Sequence, residues 1–345
     1  MSAPRVRVRR ATRGTYVGFA IGLACVAYAL LGAMGDDRGW KIKAIEICVL
    51  ITVASMWNLL AGYGGLVSIG QQAFVGIGAY GLIVAANGWG LSIYLAIIPA
   101  GIIAALLSIP LGIAAFRLRG GYFAIGTWVM AEVVRLAVKA NQSDLIGGGR
   151  GTSLTVRGYS PQDRIQATTL IAIALAVVAI TVVYGVLSSR LGLRLQAIRD
   201  NELGARGLGV DVYRARFVVW VVAATLTGLA GAVYYLQALN VQPDRAFAVD
   251  FWTAPVIVMV VLGGLGTVEG PVIGAVLFYL ARDEVQSRGW VSEPVFLLLM
   301  GVLVVVFALF ARAGIWGTLT RRLPAVELFP TRRRMAVLDA PAGAS

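Results

Sequence analysis

A charged and polar island between positions 190 and 216 interrupts an otherwise apolar chain. It carries Arg194, Ala197, Arg199, Asn201, Glu202, Ala205, Arg206 and Gly209, and its apolar residues Leu191, Leu195, Ile198, Ala205 and Leu208 recur near the helical period. Glu202 precedes Arg206 by four positions, the favourable order for an ion pair on a helix surface. The chemistry open to such a segment is docking. A short amphipathic helix held outside lipid can be gripped by a partner, although a solvated loop helix has the same periodicity.

A second pair able to do chemistry is Glu132 and Arg135, three apart on one helical face within an apolar run. A mutual ion pair that fastens this helix to a neighbour is the simpler reading, and a solute or proton role is the alternative. If the pair is buried, loss of either member leaves a lone charge at a cost of about 3–5 kcal/mol. Two glycine-rich stretches, 64–80 and 263–279, align without gaps. Gly64, Gly65 and Leu66 meet Gly263, Gly264 and Leu265, Ser68 meets Thr267, and Tyr80 meets Tyr279. Transporters are often built from such repeats, with the solute path between them at interrupted helices. Tyr63, Ser68, Gln71, Gln72, Gly263, Gly264 and Thr267 are therefore candidates to line a path.

Other chemistries lack their residues. There is no histidine, and Cys25 and Cys48 both sit in apolar runs, so a disulfide, a metal site and a thiol nucleophile are not expected. No phosphate-cradling G-x-x-x-x-G-K-[ST] occurs, and the glycine run at 147–151 has no lysine. Gly76, Gly78 and Gly81 spell G-x-G-x-x-G inside an apolar run, where close helix packing is the expected use. No catalytic residues are assigned. One embedded ion pair is thin machinery for ion coupling, so energy for transport is expected from a separate subunit.

The elements that position these residues are membrane helices. The chain is 59% hydrophobic and 14% charged, with a mean hydropathy of +0.81, against about 25% charged in soluble domains. Runs of spanning length lie at 15–34, 44–61, 70–87, 91–116, 122–139, 167–188, 216–239 and 293–311. A ninth run, 252–281, is broken by Gly263, Gly264, Gly266, Gly270 and Pro271 and reads as two half-helices that re-enter at a turn. The expected fold is an all-α polytopic membrane protein with about eight full spans, a re-entrant half-helix pair and an internal duplication. Its parts are a basic tail at 1–14, a membrane domain at 15–311 and a basic tail at 312–345. The first run has too long an apolar core for a cleaved signal and reads as a retained anchor. One face gathers 1–14, Arg117 with Arg119, the island, Glu269 and the C-terminal tail, with 19 Lys/Arg against 6 Asp/Glu; the opposite face has 10 of each. The net charge of +13 thus lies on one side, which the positive-inside rule assigns to the cytoplasm with both termini. That rule explains the charge better than nucleic-acid binding does.

Residues Asn58 to Phe74, followed by Gly78, Ala79 and Tyr80, resemble the first membrane motif of branched-chain amino-acid ABC transporter permeases. Leu118 to Phe123 and Glu132 to Leu136 resemble the second, Ala197 to Glu202 with Leu208 and Gly209 resemble the cytoplasmic coupling loop, and Val261 to Thr267 with Gly270 and Pro271 resemble the late glycine-rich motif. The resemblance runs from about 45 to 310 and favours the larger of the family's two permease types. It implies a heterodimer with a second permease subunit, two cytoplasmic ATPase subunits that hold ATP and Mg, and an extracytoplasmic solute-binding protein. This chain would sit in the bacterial cytoplasmic membrane, bind no cofactor of its own and import a small amino acid, most simply leucine, isoleucine or valine. Permeases for urea, short amides and other small organic solutes are similar, and a stand-alone secondary transporter or a basic adaptor on anionic lipid is a reading from another class. Gln71 departs from a histidine common in relatives. Gly204 and Gly207 each cost roughly 1 kcal/mol of helix stability, so the coupling helix is expected to be ordered against its ATPase.

Overall fold

The computed structural model describes residues 6–9, 13–156, 158–289, 292–310, 313–322 and 334–337. The short strand β1 (Val6–Arg9) precedes α1 (Arg13–Met34). Asp37 then starts α2 (Arg38–Asn58), its carboxylate accepting from the backbone N–H groups of Gly39 at 2.8 Å and Trp40 at 3.1 Å, which satisfies two of the donors a helix start leaves open. α2 runs on through one wide turn, Leu59–Tyr63, into the first glycine-rich turn. α3 (Gln71–Ile83), α4 (Ile97–Ala115) and α5 (Gly121–Ala140) follow, then β2 (Thr152–Ser153) and α6 (Pro161–Ser188). The island folds as α7 (Arg190–Asp200) and α8 (Glu202–Gly207), after which α9 (Val212–Ala238) returns through the bundle. β3 (Asn240–Val241) pairs with β2, and α10 (Pro243–Ala246) closes that loop. α11 (Ala254–Gly263) and α12 (Gly270–Ser287) are separated by the second glycine-rich turn, α13 (Glu293–Phe310) and α14 (Gly314–Arg322) follow, and β4 (Arg334–Val337) pairs antiparallel with β1.

Among the described residues, six helices are long and apolar enough to cross a membrane: α1, α2 with its wide turn, α4, α5, α6 and α9. The protein is an all-α polytopic membrane protein. Its centre is α3, in which every residue is buried, as expected of a helix apolar on all sides. α3 packs on α9 and α4, while α2 lies against α6, α9, α11 and α12. α1 and α5 sit at the periphery with few of their residues buried. The broken run at 252–281 forms two helices on either side of a glycine turn, and α11 packs along α12. Within the segment read as the C-terminal tail, α14 joins the packed body: a Cβ on its Gly314 would come within 2.5 Å of the Gly264 Cα.

Small residues set the closest approach. A Cβ at Gly78 would lie 1.8 Å from the Gly228 carbonyl oxygen on α9, and one at Gly81 would lie 3.0 Å from the Ala100 Cα on α4. The glycine spacing at 76–81 is thus a packing surface, the use small residues have in membrane bundles, where dispersion at short range drives helix association. Gly185 on α6 has nothing within 4 Å of its would-be Cβ. Gly78→Ala should therefore force α3 and α9 apart and lose about 1–3 kcal/mol or more, seen as reduced monodisperse yield and thermal stability in detergent. Gly185→Ala should leave both unchanged or raise them. Equal behaviour of the two variants would contradict the packing.

Candidate functional site

The island is two short helices with a break between them, because Asn201 ends one and starts the other. Its backbone is extended (φ −156°, ψ 100°) and its side-chain oxygen accepts from the Gly204 N–H at 2.9 Å, a favoured N-cap. One continuous amphipathic helix is the sequence expectation, and the cap divides it. Ser189 caps α7 in the same way through the Leu191 N–H. Gly209, at φ +78°, takes the left-handed conformation that stops α8. Leu195, Ile198 and Ala205 face inward and are buried, Ala197 is half-buried, and Arg194 and Arg206 are exposed. Leu203 in the first turn of α8 and Leu208 at its C-terminal end stand out, 82% and 85% exposed.

Three charged residues of the island, Arg199, Glu202 and Arg216, are turned toward the membrane domain. Glu202 is gripped from both sides, by Arg206 at 2.7 Å and by Arg216 on α9 at 2.8 Å. Arg216 also donates to the Gly64 carbonyl at 3.2 Å, and Arg199 donates to the Gly62 carbonyl at 2.8 Å. Partial burial pushes the Glu202 carboxyl up, but the two guanidiniums outweigh it and hold it below the ordinary glutamate value. A lowered folded value means that this brace is complete at neutral pH. It is lost as pH falls through that value.

The first glycine-rich turn is bound in turn to the second. Asn58 accepts from the Gly266 N–H and donates to the Thr267 carbonyl, both at 2.8 Å. A Cβ at Gly62 would lie 2.7 Å from the Gly266 nitrogen, so the two backbones touch. The aligned hydroxyls do equivalent work: Ser68 accepts from the Gly70 N–H before α3, and Thr267 from the Gly270 N–H before α12. Gly263 packs on Gly270, and Gly264 on Ala313 and Gly317.

The decisive comparison is with protein families. The model for the permease component of the branched-chain amino acid transport system matches residues 43–308. The chain belongs to this permease family. It is 28% identical over 319 residues to the high-affinity branched-chain amino acid transport system permease protein LivM of Salmonella typhimurium, covering 85% of this chain and 73% of that protein. It is 28% identical over 305 residues to LivM of Escherichia coli, covering 81% and 70%. It is also 27% identical over 201 residues to the nucleoside ABC transporter permease protein NupC of Lactococcus lactis, covering 54% and 63%.

The permease holds its remaining candidate residues in the interior. Gln71 donates to the Thr227 hydroxyl at 2.6 Å, and the Thr253 hydroxyl donates to the Gln72 side chain. Together they form a polar thread joining α3, α9 and the segment before α11. Tyr63 is 2% exposed, and among the described residues neither its hydroxyl nor the Gln71 side-chain oxygen has a hydrogen-bond partner. Glu132 and Arg135 pair, but the pair is half open and extends further: Arg135 also binds Asp244, which Lys139 holds at 2.9 Å. Those hydrogen bonds from Lys139 hold the Asp244 carboxyl below its usual range. Loss of Glu132 thus leaves Arg135 with a partner, and the sequence expectation of a large penalty is revised.

The Asn58 bridge and the open ion cluster give opposite expectations. Asn58→Leu strands a backbone donor and a backbone acceptor, and each is expected to cost about 1–3 kcal/mol in the unfolding of purified permease. Glu132→Gln is expected to cost less than about 1 kcal/mol. A larger loss from Glu132→Gln than from Asn58→Leu in the same assay would contradict both readings.

Proposed function

We propose that the permease imports leucine, isoleucine and valine through the bacterial cytoplasmic membrane, using ATP and Mg bound on separate subunits. As the permease component of an ABC transporter, it works with ATPase and solute-binding partners. In the proposed assembly it pairs with a second permease subunit and is embedded in membrane lipid, with two ATPases below and the binding protein above. The island faces the cytoplasm with both termini, since 19 of the 30 Lys/Arg lie on that face.

One observation carries the mechanism: the exposed island is fastened by Arg199, Glu202 and Arg216 to the first glycine-rich turn, which Asn58 joins to the second. A push on α8 by a partner reaches those turns through charge-assisted bonds. Leu203 and Leu208 give the ATPase an apolar grip outside lipid. Support for the solute is the match to two LivM proteins over more than four-fifths of this chain. The nucleoside permease among the relatives favours a second reading, in which another small organic solute is carried.

The paired change Leu203→Ser and Leu208→Ser should leave the permease inserted and folded but reduce co-purification of the ATPase at least 10-fold, since each exposed leucine that becomes buried on docking is worth about 1.5–3 kcal/mol. Uptake of leucine into vesicles should fall in parallel. Unchanged ATPase binding would rule out docking at α8, and leucine uptake by vesicles without ATPase would favour a secondary transporter.

A further inference from the structure

The Glu132 carboxylate lies deep within a helix of spanning length and is open on one side. Helical rise places it about 17 Å from the Gly121 end of α5 and about 12 Å from the Ala140 end. A hydrocarbon core roughly 30 Å thick therefore encloses it. The buried side of α5 is Phe123, Thr127 and Ala131. Phe123 stacks on Phe116, and the Thr127 hydroxyl accepts from the Ile69 N–H at 3.1 Å. The other side, with Tyr122, Ile125, Val129, Val133 and Leu136, is exposed.

Glu132 follows Val129 by three positions and precedes Leu136 by four, so it shares their side of the helix. Its side chain is 43% exposed, and among the described residues Arg135 is its one partner. A carboxylate has about four acceptor sites, so a further donor can be taken. The network as a whole is balanced, Glu132 and Asp244 against Arg135 and Lys139. It needs no guest ion; it needs cover. Acyl chains offer no donor, and ionisable side chains within spans face protein or a water-filled cavity. The composition of the helix agrees. α1 and α5 have the fewest buried residues of the six spans, but α1 is strongly apolar whereas α5 is the least apolar of the six. A helix that is both the most polar span and a peripheral one is poorly matched to lipid.

We propose that the exposed side of α5 is the docking face for the second permease subunit, and that a membrane helix of that subunit presents a hydrogen-bond donor to Glu132. The assignment rests on the reading of this chain as one of two paired permeases and deepens it by naming the surface. Ile125, Val129 and Val133 supply the close packing that joins helices in a membrane, and Glu132 supplies one polar contact that lipid cannot replace. A second copy of this chain fits the face less well. Two copies inserted in the same direction hold the same residues at the same depth, so the copy would bring a second carboxylate to Glu132 and not a donor.

The test is photo-crosslinking in the assembled transporter, with p-benzoylphenylalanine in place of Val129 or Val133 on α5, or of Leu106, an exposed residue of α4, as the reference. The two permeases carry different tags. Positions 129 and 133 should give adducts to the second permease, and position 106 should give none. Glu132→Leu should lower recovery of the second permease with this chain about 10-fold, while the yield of folded chain expressed alone stays the same. Lack of an adduct from both 129 and 133 in a transporter that holds its second permease overturns the surface, and there the paired reading survives. Adducts only to a second copy of this chain overturn it too, as does an equal yield from position 106. Full recovery of the second permease with Glu132→Leu overturns the contact at Glu132. A transporter that takes up its solute with no second permease present overturns both readings.

Discussion

The structure depends on two arginines that donate to backbone carbonyls at the end of one helix. α2 ends in a wide turn, and the last carbonyls of a helix have no partner within it and carry partial negative charge. Arg199 fills the Gly62 carbonyl and Arg216 the Gly64 carbonyl. Water cannot do this for a turn enclosed by protein, and hydrogen bonds from a charged donor are worth about 1.5–3 kcal/mol each. The position of the island follows from it. α7 must bring Arg199 to the turn, and Glu202 at the start of α8 must hold Arg216 in place. Exposed ion pairs such as Glu202 with Arg206 contribute little stability by themselves; their use here is to fix the direction of a side chain.

The second turn is carried along by contact, not by charge. Gly62 and Gly266 approach until no side chain fits between them, and Asn58 holds both sides of the 266–267 backbone as a strand would. α3 and α12 each start from one of these turns, where the Ser68 and Thr267 hydroxyls accept from the Gly70 and Gly270 N–H groups. The island, the two turns and the starts of two interior helices form a single hydrogen-bonded body, and a force on α8 is applied to all of it.

Much of this was legible in the sequence because it lies in periods and interruptions. The apolar runs gave the helices, the glycines at 263–270 gave the interrupted pair, and the spacing of Gly76, Gly78 and Gly81 gave a packing surface that the contacts confirm. The island was visible as a polar segment, but the Asn201 break was not, since the apolar period continues across it. That break re-phases α8, so Leu208, which the period places inward, points out. Arg216 was missed because its partners are a backbone carbonyl and a glutamate 14 positions away, and a carbonyl leaves no trace in residue type. Asp244 lies 109 positions from Arg135.

The central claim, that the island and the two glycine-rich turns move as one body, is tested most directly by a distance measured between them during turnover. Spin labels at 203 on α8 and 265 in the second turn, both exposed positions, report it once Cys25 and Cys48 are replaced. In the full transporter, the distance distribution between these labels should be the same without nucleotide and with trapped ATP, while the distance between labels at 203 and 46 changes. A 203–265 distance that shifts with nucleotide as much as the 203–46 distance would contradict the claim.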